Sequence, residues 1–458
     1  MPRIDGRFYL LLAMLCGLLS LGGCSGAMTD VTGAKVAGAV YRAPPLDPTR
    51  TSSQNEGWQY DVIAPKLPFD AALTLREAIN RALRYSPALQ AASLEVEAKL
   101  GVAAQAAVRP NPVLSLDVEN FGGTGDLGGL NSAEGTLALS QLVELGGKRY
   151  RRLAVANLDR AVSVWDFEAA RLRVIRETAE AFIDALAIQE AIARSTEANR
   201  IARELERDVQ ARVDAGQANP IEIQRTRPMV ANTLVRLESE RARLEPTKRR
   251  LASMWGQSRP DFARVSGNFS RTTRVRSIDA VLGELESNPD VARWSDEIAR
   301  RDAVVELELA KSVPDITLGA GVRRLNDTND TALVASASLP LPIFDRNSGN
   351  IAAAEARLSK AEYERSSSLA TLRVMVLSAY EDLASSAAEV RALADDVVPP
   401  ARSAYRAVQT SFKAGASQLL DVLDARRVLF EAELNLIRAQ ANFEKAKARI
   451  EGLTGRKI

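Results

Sequence analysis

Histidine is absent from this sequence of 458 residues. Without imidazole the chain can form no Ser-His-Asp triad, no His-Glu-x-x-His zinc site and no histidine acid or base. The two cysteines, Cys16 and Cys24, both lie near the amino terminus, so thiolate metal sites and disulfides are excluded from everything after residue 24. The sequence therefore predicts a protein that is not an enzyme and that has no cofactor and no resident metal.

The sequence also lacks an excess of either charge. Its 60 Lys and Arg residues against 58 Asp and Glu residues leave a net charge of +2, which predicts no nucleic-acid partner. Aromatic residues make up only 5% of the chain, while hydrophobic residues make up 46%. This composition excludes general disorder and favours helices that pack closely through small side chains.

The amino terminus has the pattern of a targeting signal. Arginines precede an apolar run at residues 8–21, which is followed by Gly-Gly-Cys-Ser. The pattern predicts a lipoprotein signal peptide at residues 1–23, with a short anchor helix and an incidental cysteine as the alternative. Similarity to bacterial lipoprotein signals implies cleavage before Cys24, acylation of its thiol and anchoring in outer-membrane lipid. Residues 24–70 are rich in Pro and Gly and predict a lipidated tether.

The rest of the chain contains an internal repeat. Three pairs of residues recur at nearly constant spacing: Pro87 and Pro289, Pro112 and Pro314, and Gly216 and Gly415. The spacing is 202 residues for the first two pairs and 199 residues for the third. Self-similarity of this kind indicates a duplicated structural unit. We therefore predict a first repeat at residues 71–265 and a second repeat at residues 266–458.

In each repeat, the sequence pattern predicts two strands followed by a long helix and a return helix. Apolar and polar residues alternate in four segments, at about residues 113–120, 134–143, 315–323 and 331–341. The first long helix is expected at residues 148–213, which contain no Pro or Gly and correspond to about 100 Å of helix. The second is expected at residues 348–413, with a kink or break at Pro399 and Pro400. Pro228 predicts an irregularity in the first return helix.

The alternating strands suit an outer membrane, because one face of each strand is apolar and the other is polar. Four strands are too few to close a membrane barrel, and an open edge in lipid would leave backbone groups unsatisfied. Several chains must therefore share one barrel. The expected fold is mainly α, with long helical hairpins and a small membrane β-barrel to which each chain contributes four strands.

One segment carries a clear family resemblance. Residues 414–425 read Ala-Gly-Ala-Ser-Gln-Leu-Leu-Asp-Val-Leu-Asp-Ala, and with the repeat order they resemble the TolC family of outer-membrane efflux proteins over residues 73–455. Residues 118–123 and 142–149 are similar to the branch that serves cobalt-zinc-cadmium or copper efflux systems. The resemblance implies a homotrimer with a twelve-stranded barrel above a twelve-helix periplasmic tunnel.

The resemblance also implies a gate at the periplasmic tip of the tunnel. Asp421 and Asp424 match the family's constriction pattern and lie three residues apart on one helix face, so threefold symmetry would create two carboxylate rings that favour cations. The alternative is that they are early-helix acids that complement the helix dipole. Glu222 is the repeat partner of Asp421, whereas Arg225 stands where the second acid would be.

Gly216 and Gly415 are expected to end the two long helices, and the resemblance implies that these tips dock a periplasmic adaptor, a membrane fusion protein. The predicted function is a passive outer-membrane channel that conducts exported substrate, heavy-metal cations in this branch, from an inner-membrane resistance-nodulation-division transporter. Export of drugs or type I secretion by the same fold is one alternative. A lipid-tethered periplasmic coiled-coil adaptor or scaffold is an alternative from a different class.

Overall fold

The computed structural model describes residues 72–269 and 276–455, all within the unit that comprises residues 61–458. The predicted signal peptide, the lipidation site Cys24 and the whole predicted tether lie outside the described residues. Six strands are described: β1 (Ala72–Thr74), β2 (Val113–Glu119), β3 (Glu134–Val143), β4 (Arg264–Ser266), β5 (Ile316–Leu325) and β6 (Asp330–Ser338).

Nine α-helices are described: α1 (Leu75–Tyr85), α2 (Pro87–Ala106), α3 (Lys148–Asp214), α4 (Ile221–Ser253), α5 (Ile278–Leu282), α6 (Pro289–Lys311), α7 (Ser348–Arg391), α8 (Val398–Lys413) and α9 (Leu419–Thr454). The predicted capping box at the start of α1 is present, because Thr74 and Glu77 hydrogen-bond reciprocally. The mainly helical fold with two copies of one plan is confirmed.

The longest helix, α3, has 67 residues and so extends over about 100 Å. A helix of this length needs partners along its sides. It contacts α2 and α4 of its own repeat and α6 and α9 of the second repeat. Helices α6 and α9 in turn contact α7. The helices therefore form a layer in which α3, α6 and α9 lie between the pair α2 and α4 and the helix α7.

Shorter helices stack end to end along the long ones. A Cβ atom added to Gly256, just beyond α4, would lie 3.1 Å from Cγ of Pro87 at the start of α2. In the second repeat, Asn288 caps α6 and its side chain also donates a hydrogen bond to the Leu453 carbonyl of α9. The return helix and the helix before the strands thus form one continuous column in each repeat.

The four long strands form one antiparallel sheet in the order β2-β3-β5-β6. Directly paired positions on one face form a row of apolar side chains across all four strands: Leu116, Leu137, Val322 and Leu333. The opposite face carries Arg323, whose guanidinium bonds to Glu134 at 3.0 Å and to the Thr136 hydroxyl at 2.9 Å. The register thus separates an apolar face from a polar one.

Two short strands were not predicted. The three-residue strands β1 and β4 pair in parallel, and Leu73 and Val265 join a buried cluster that contains Trp255. Beside it, Arg81 forms a bidentate ion pair with Asp261 at 2.9 and 2.8 Å. A strand of three residues is too short to show an alternating pattern in the sequence. Its pairing is decided by tertiary packing.

Pro228 does not interrupt the first return helix. Pro228 and Pro246 both lie inside the continuous helix α4, and both are exposed. The carbonyl that Pro228 leaves without a helical partner belongs to Gln224, which is also exposed, so water can bond to it. An exposed proline position therefore does not interrupt this helix.

The second long helix is interrupted, but before the prolines and not at them. Residues Ala392–Val397 form a π-helix between α7 and α8, and Pro399 and Pro400 lie in the first turn of α8. A proline ring clashes with the carbonyl four residues earlier, here those of Asp395 and Asp396. Both aspartates lie in the π-helix, so the interruption falls at the residues that the two prolines would disturb.

Strand β6 ends at Ser338, three residues before the predicted end, because Pro340 and Pro342 follow and proline cannot donate to a strand ladder.

Candidate functional site

The tips of both repeats come together at one end of the helical layer. The carboxyl ends of α3 and α8 and the amino ends of α4 and α9 share one buried cluster, composed of Leu205, Val209, Ile223, Tyr405, Phe412, Leu419 and Val422. Ile223 and Val422 occupy equivalent positions in the two repeats. Their neighbours Glu222 and Asp421 are therefore held near the same buried cluster, as the repeat predicts.

Gly216 and Gly415 end the long helices as expected. Their φ angles are +69° and +79°, a region that favours glycine. The Gln217 N–H donates to the Arg212 carbonyl, and the Ala416 N–H donates to the Ser411 carbonyl, both at 2.8 Å. These bonds satisfy carbonyls at the ends of the helices. Both glycines are exposed, with open space where a Cβ would stand.

An arginine that sequence reasoning missed ties the two tips together. Nη2 of Arg212 donates hydrogen bonds to the carbonyls of Phe412 at 2.8 Å and Lys413 at 3.1 Å. The same guanidinium lies 4.4 Å from the centre of the Phe412 ring, within range of a cation–π interaction. Arg212 therefore links the last turn of α3 to the last turn of α8.

The two predicted gate acids lie exposed at the start of α9. The Asp421 carboxylate accepts a hydrogen bond from the Gln418 N–H at 3.1 Å and completes a capping box. Asp424 Oδ1 accepts from Nη2 of Arg427 at 2.8 Å. The helix-capping role that we considered as the alternative therefore has the geometry it needs. Since both acids are also exposed, capping does not prevent them from facing a passage.

The first tip carries a different charge pattern. Glu222 is partly buried on the first turn of α4, and Arg225, one turn further, is exposed. The tips thus place one acid and one base in the first repeat opposite two acids in the second. All predicted gate and tip residues lie at this end.

A second arginine was also missed. Arg426 is 6% exposed and lies on α9 beside α3. Its position was available from the helical period, because Leu419, Val422 and Arg426 lie on one face and the first two are apolar. A charged side chain in that stripe was not recognised as buried.

Residues 72–269 and 276–455 contain neither a metal-binding cluster nor a helix that could span a membrane. No three acidic or thiol side chains in these ranges are grouped so as to hold a metal ion. Nor does any helix in this part of the chain have both the length and the apolar composition to cross a membrane.

Comparison with known proteins gives a decisive result. Residues 78–257 and 283–456 match a family described as outer membrane efflux protein. The chain belongs to this family. The first match lies within residues 71–265 and the second within residues 266–458, in keeping with the duplicated plan.

Several individual members of the outer membrane efflux protein family are similar to this chain. The cobalt-zinc-cadmium resistance protein CzcC of Cupriavidus metallidurans is 31% identical over 396 residues, covering 86% of this chain and 93% of CzcC. The nickel and cobalt resistance protein CnrC of the same organism is 29% identical over 291 residues, covering 62% of this chain and 67% of CnrC.

The fold has counterparts among solved structures. A structure of CusC, described in connection with transmembrane channel formation, superposes with a TM-score of 0.71 at 15% identity and covers 84% of this chain and 93% of CusC. The predicted efflux function and outer-membrane location are confirmed. The roles of Asp421, Asp424, Glu222, Gly216 and Gly415 remain predictions.

Proposed function

We propose that three copies of this chain form a duct that passively conducts heavy-metal cations across the outer membrane. The observation that carries the proposal is the four-stranded sheet, which has an apolar face, a polar face and, among the described residues, two unpaired edges. A periplasmic adaptor and an inner-membrane resistance-nodulation-division transporter would deliver the cations, and acylated Cys24 would anchor each copy in lipid.

The sheet supports sharing of a barrel between copies. Among the described residues, β2 and β6 have no further strand on their outer sides. An edge in lipid is costly because its N–H and C=O groups lack hydrogen-bond partners. The apolar row includes Leu333, which is 82% exposed, so the isolated sheet leaves large apolar side chains uncovered. Three copies would supply twelve strands and remove every edge.

The helical layer supports the same assembly. Large apolar or aromatic side chains remain exposed at both edges of the layer, with Val235 on α4 68% exposed and Tyr363 on α7 78% exposed. Exposed apolar surface of this kind is typical of an interface. We propose that α2 and α4 of one copy pack against α7 and α8 of the next.

The tip carboxylates give the duct its proposed selectivity. Asp421 and Asp424 are one turn apart and exposed, and Glu222 lies on the neighbouring tip. Threefold repetition would place rings of negative charge at the narrow end, which attract cations and repel anions. Gly216 and Gly415 would form the exposed turns to which the adaptor docks.

Two observations support metal cations as the substrate. CzcC and CnrC are named for resistance to cobalt, zinc, cadmium and nickel. After residue 24 this chain contains neither histidine nor cysteine, the ligands that bind soft metals strongly. Metal ions would therefore pass carboxylate rings without being retained, which suits a passive duct.

Single-channel conductance in planar bilayers tests the proposal. The parent protein should show small, cation-selective openings, and Asp421→Ala/Asp424→Ala should enlarge them and reduce the selectivity. Asp290→Ala is the matched control, since Asp290 is also a first-turn acid but lies next to Val291 in a different buried cluster. Absence of conductance in inserted trimers of the parent would favour the tethered scaffold instead.

A further inference from the structure

Among the described residues, a buried cation close to the proposed gate, Arg426, has no carboxylate partner. Nη2 of Arg426 donates a hydrogen bond to the Ala198 carbonyl of α3. The other terminal nitrogen, Nη1, is buried and has no hydrogen-bond partner in residues 72–269 or 276–455. Within the same ranges no ion pair joins Arg426 to an acid. The guanidinium is therefore removed from water with only part of its bonding capacity satisfied.

Two acids near Arg426 are engaged by a different arginine. On α3, Nε and Nη2 of Arg200 bond to the Glu197 carboxylate at 2.8 and 2.6 Å. Nη1 of Arg200 bonds to Glu204. Burial lowers the pKa of Arg426. The negative charges of Glu197 and Glu204 act in the opposite direction and raise it. Arg200 itself is 55% exposed at its side chain, so it could lose either acid and be solvated.

The energetic asymmetry between these two arginines is large. A buried charged group without its full set of partners is strongly destabilising, whereas an exposed ion pair contributes little. Transfer of Glu197 or Glu204 from Arg200 to Arg426 would therefore stabilise the assembly. In the arrangement described here, Arg426 bonds to a backbone carbonyl and to neither carboxylate.

We infer that Arg426 is a positioning residue of the gate, which destabilises the tip arrangement described here and favours a second arrangement in which α9 is displaced along α3 and Arg426 pairs with Glu197 or Glu204. The inference rests on the proposed function, because Arg426 acts through Asp421 and Asp424. All three belong to one helix, and Asp424 precedes Arg426 by two residues. Displacement of α9 consequently moves both carboxylate rings.

The test compares Arg426→Met with the matched control Arg227→Met. Arg227 occupies the equivalent position in the first repeat but is exposed on α4. Met fills the same space as Arg without charge. Replacing a buried ionic group by an apolar one of similar volume commonly stabilises a structure, so openings of the Arg426→Met channel should become about tenfold rarer. The Arg227→Met channel should open like the parent.

A second variant separates positioning from simple packing. Glu197→Gln/Glu204→Gln removes the carboxylates of the second arrangement and leaves the hydrogen bond from Arg426 to the Ala198 carbonyl in place. It should also make openings rarer. If Arg426 had only a packing role, this double substitution would not change how often the channel opens.

Amide hydrogen exchange of the tips, at residues 205–223 and 405–425, provides a measurement that does not depend on conduction. Exchange there should slow about tenfold in Arg426→Met. Unchanged or faster exchange would overturn the role assigned to Arg426. A parent protein that does not conduct, combined with slowed exchange in Arg426→Met, would contradict the proposed duct and leave the strain at Arg426 established.

Discussion

The two repeats share one plan but differ at their tips. In the first repeat, α3 is continuous, and the tip carries Glu222 and Arg225. In the second repeat a π-helix interrupts the long helix, and the tip carries Asp421 and Asp424. Buried positions are retained, since Ile223 and Val422 are both in the shared cluster. Duplication has thus kept the packing, while acidic charge and the helix interruption are concentrated in the second copy.

Substitution of a buried residue that joins the two tips should have the largest effect on their local stability. Val422→Asp buries a carboxylate at a position that is 1% exposed and should lower the free energy of local unfolding of the tips by about 3 kcal/mol or more. Hydrogen exchange of residues 405–425 measures this change. The control is Leu420→Asp, because Leu420 is 55% exposed. Equal effects of the two substitutions would show that the tips are not packed together as described.

The bond between the two repeats should have the next largest effect. Arg212→Ala removes two hydrogen bonds to carbonyls and the contact with the Phe412 ring, so the tips should lose about 1–2 kcal/mol of local stability. Faster hydrogen exchange in both tips would report it. Arg207→Ala is the control, because Arg207 is exposed and donates a long hydrogen bond of 3.4 Å to the Arg203 carbonyl of its own helix. An effect confined to the first tip would contradict a link between the repeats.

The helix-ending glycines test whether the repeats are equivalent in backbone geometry. Gly216→Ala and Gly415→Ala should each destabilise their tip by about 1 kcal/mol, because both residues have positive φ angles. Thermal melting of each purified variant against the parent measures the change. Clearly unequal shifts would show that the two turns are not equivalent.

The smallest expected effect is a change of thermal stability with pH. Hydrogen bonds from Arg200 hold the pKa of Glu197 below its ordinary value of 4.5. A carboxylate with a lowered folded-state pKa contributes stability above its unfolded pKa and loses it as the pH falls through the folded value. Melting of the parent should therefore show a small additional decline below pH 4.5 that Glu197→Gln lacks. Because the pair is exposed, the decline should disappear at high salt.

Much of the fold could be predicted because it depends on local patterns. The absence of Pro and Gly predicted α3 to within one residue at its end, and alternation predicted β2 and β3. The continuation of α4 through Pro228 could not be predicted, because exposure, which decides whether a free carbonyl can bond to water, is not a local property. Repeat spacing placed Glu222 opposite Asp421. It could not reveal that Arg212 contacts the other tip.

The sequence by itself determined the helices, the alternating strands, the duplication and the lack of histidine and thiol chemistry. These features follow from the periodicity and composition of the sequence, which do not depend on tertiary contacts. Only the tertiary structure decided which groups from distant segments meet. The pairing of β1 with β4, the apolar row across four strands and the burial of Arg426 against Ala198 each join residues far apart in sequence. The free energy of each of these contacts depends on neighbouring residues that exclude water from it. The local sequence pattern does not specify those neighbours.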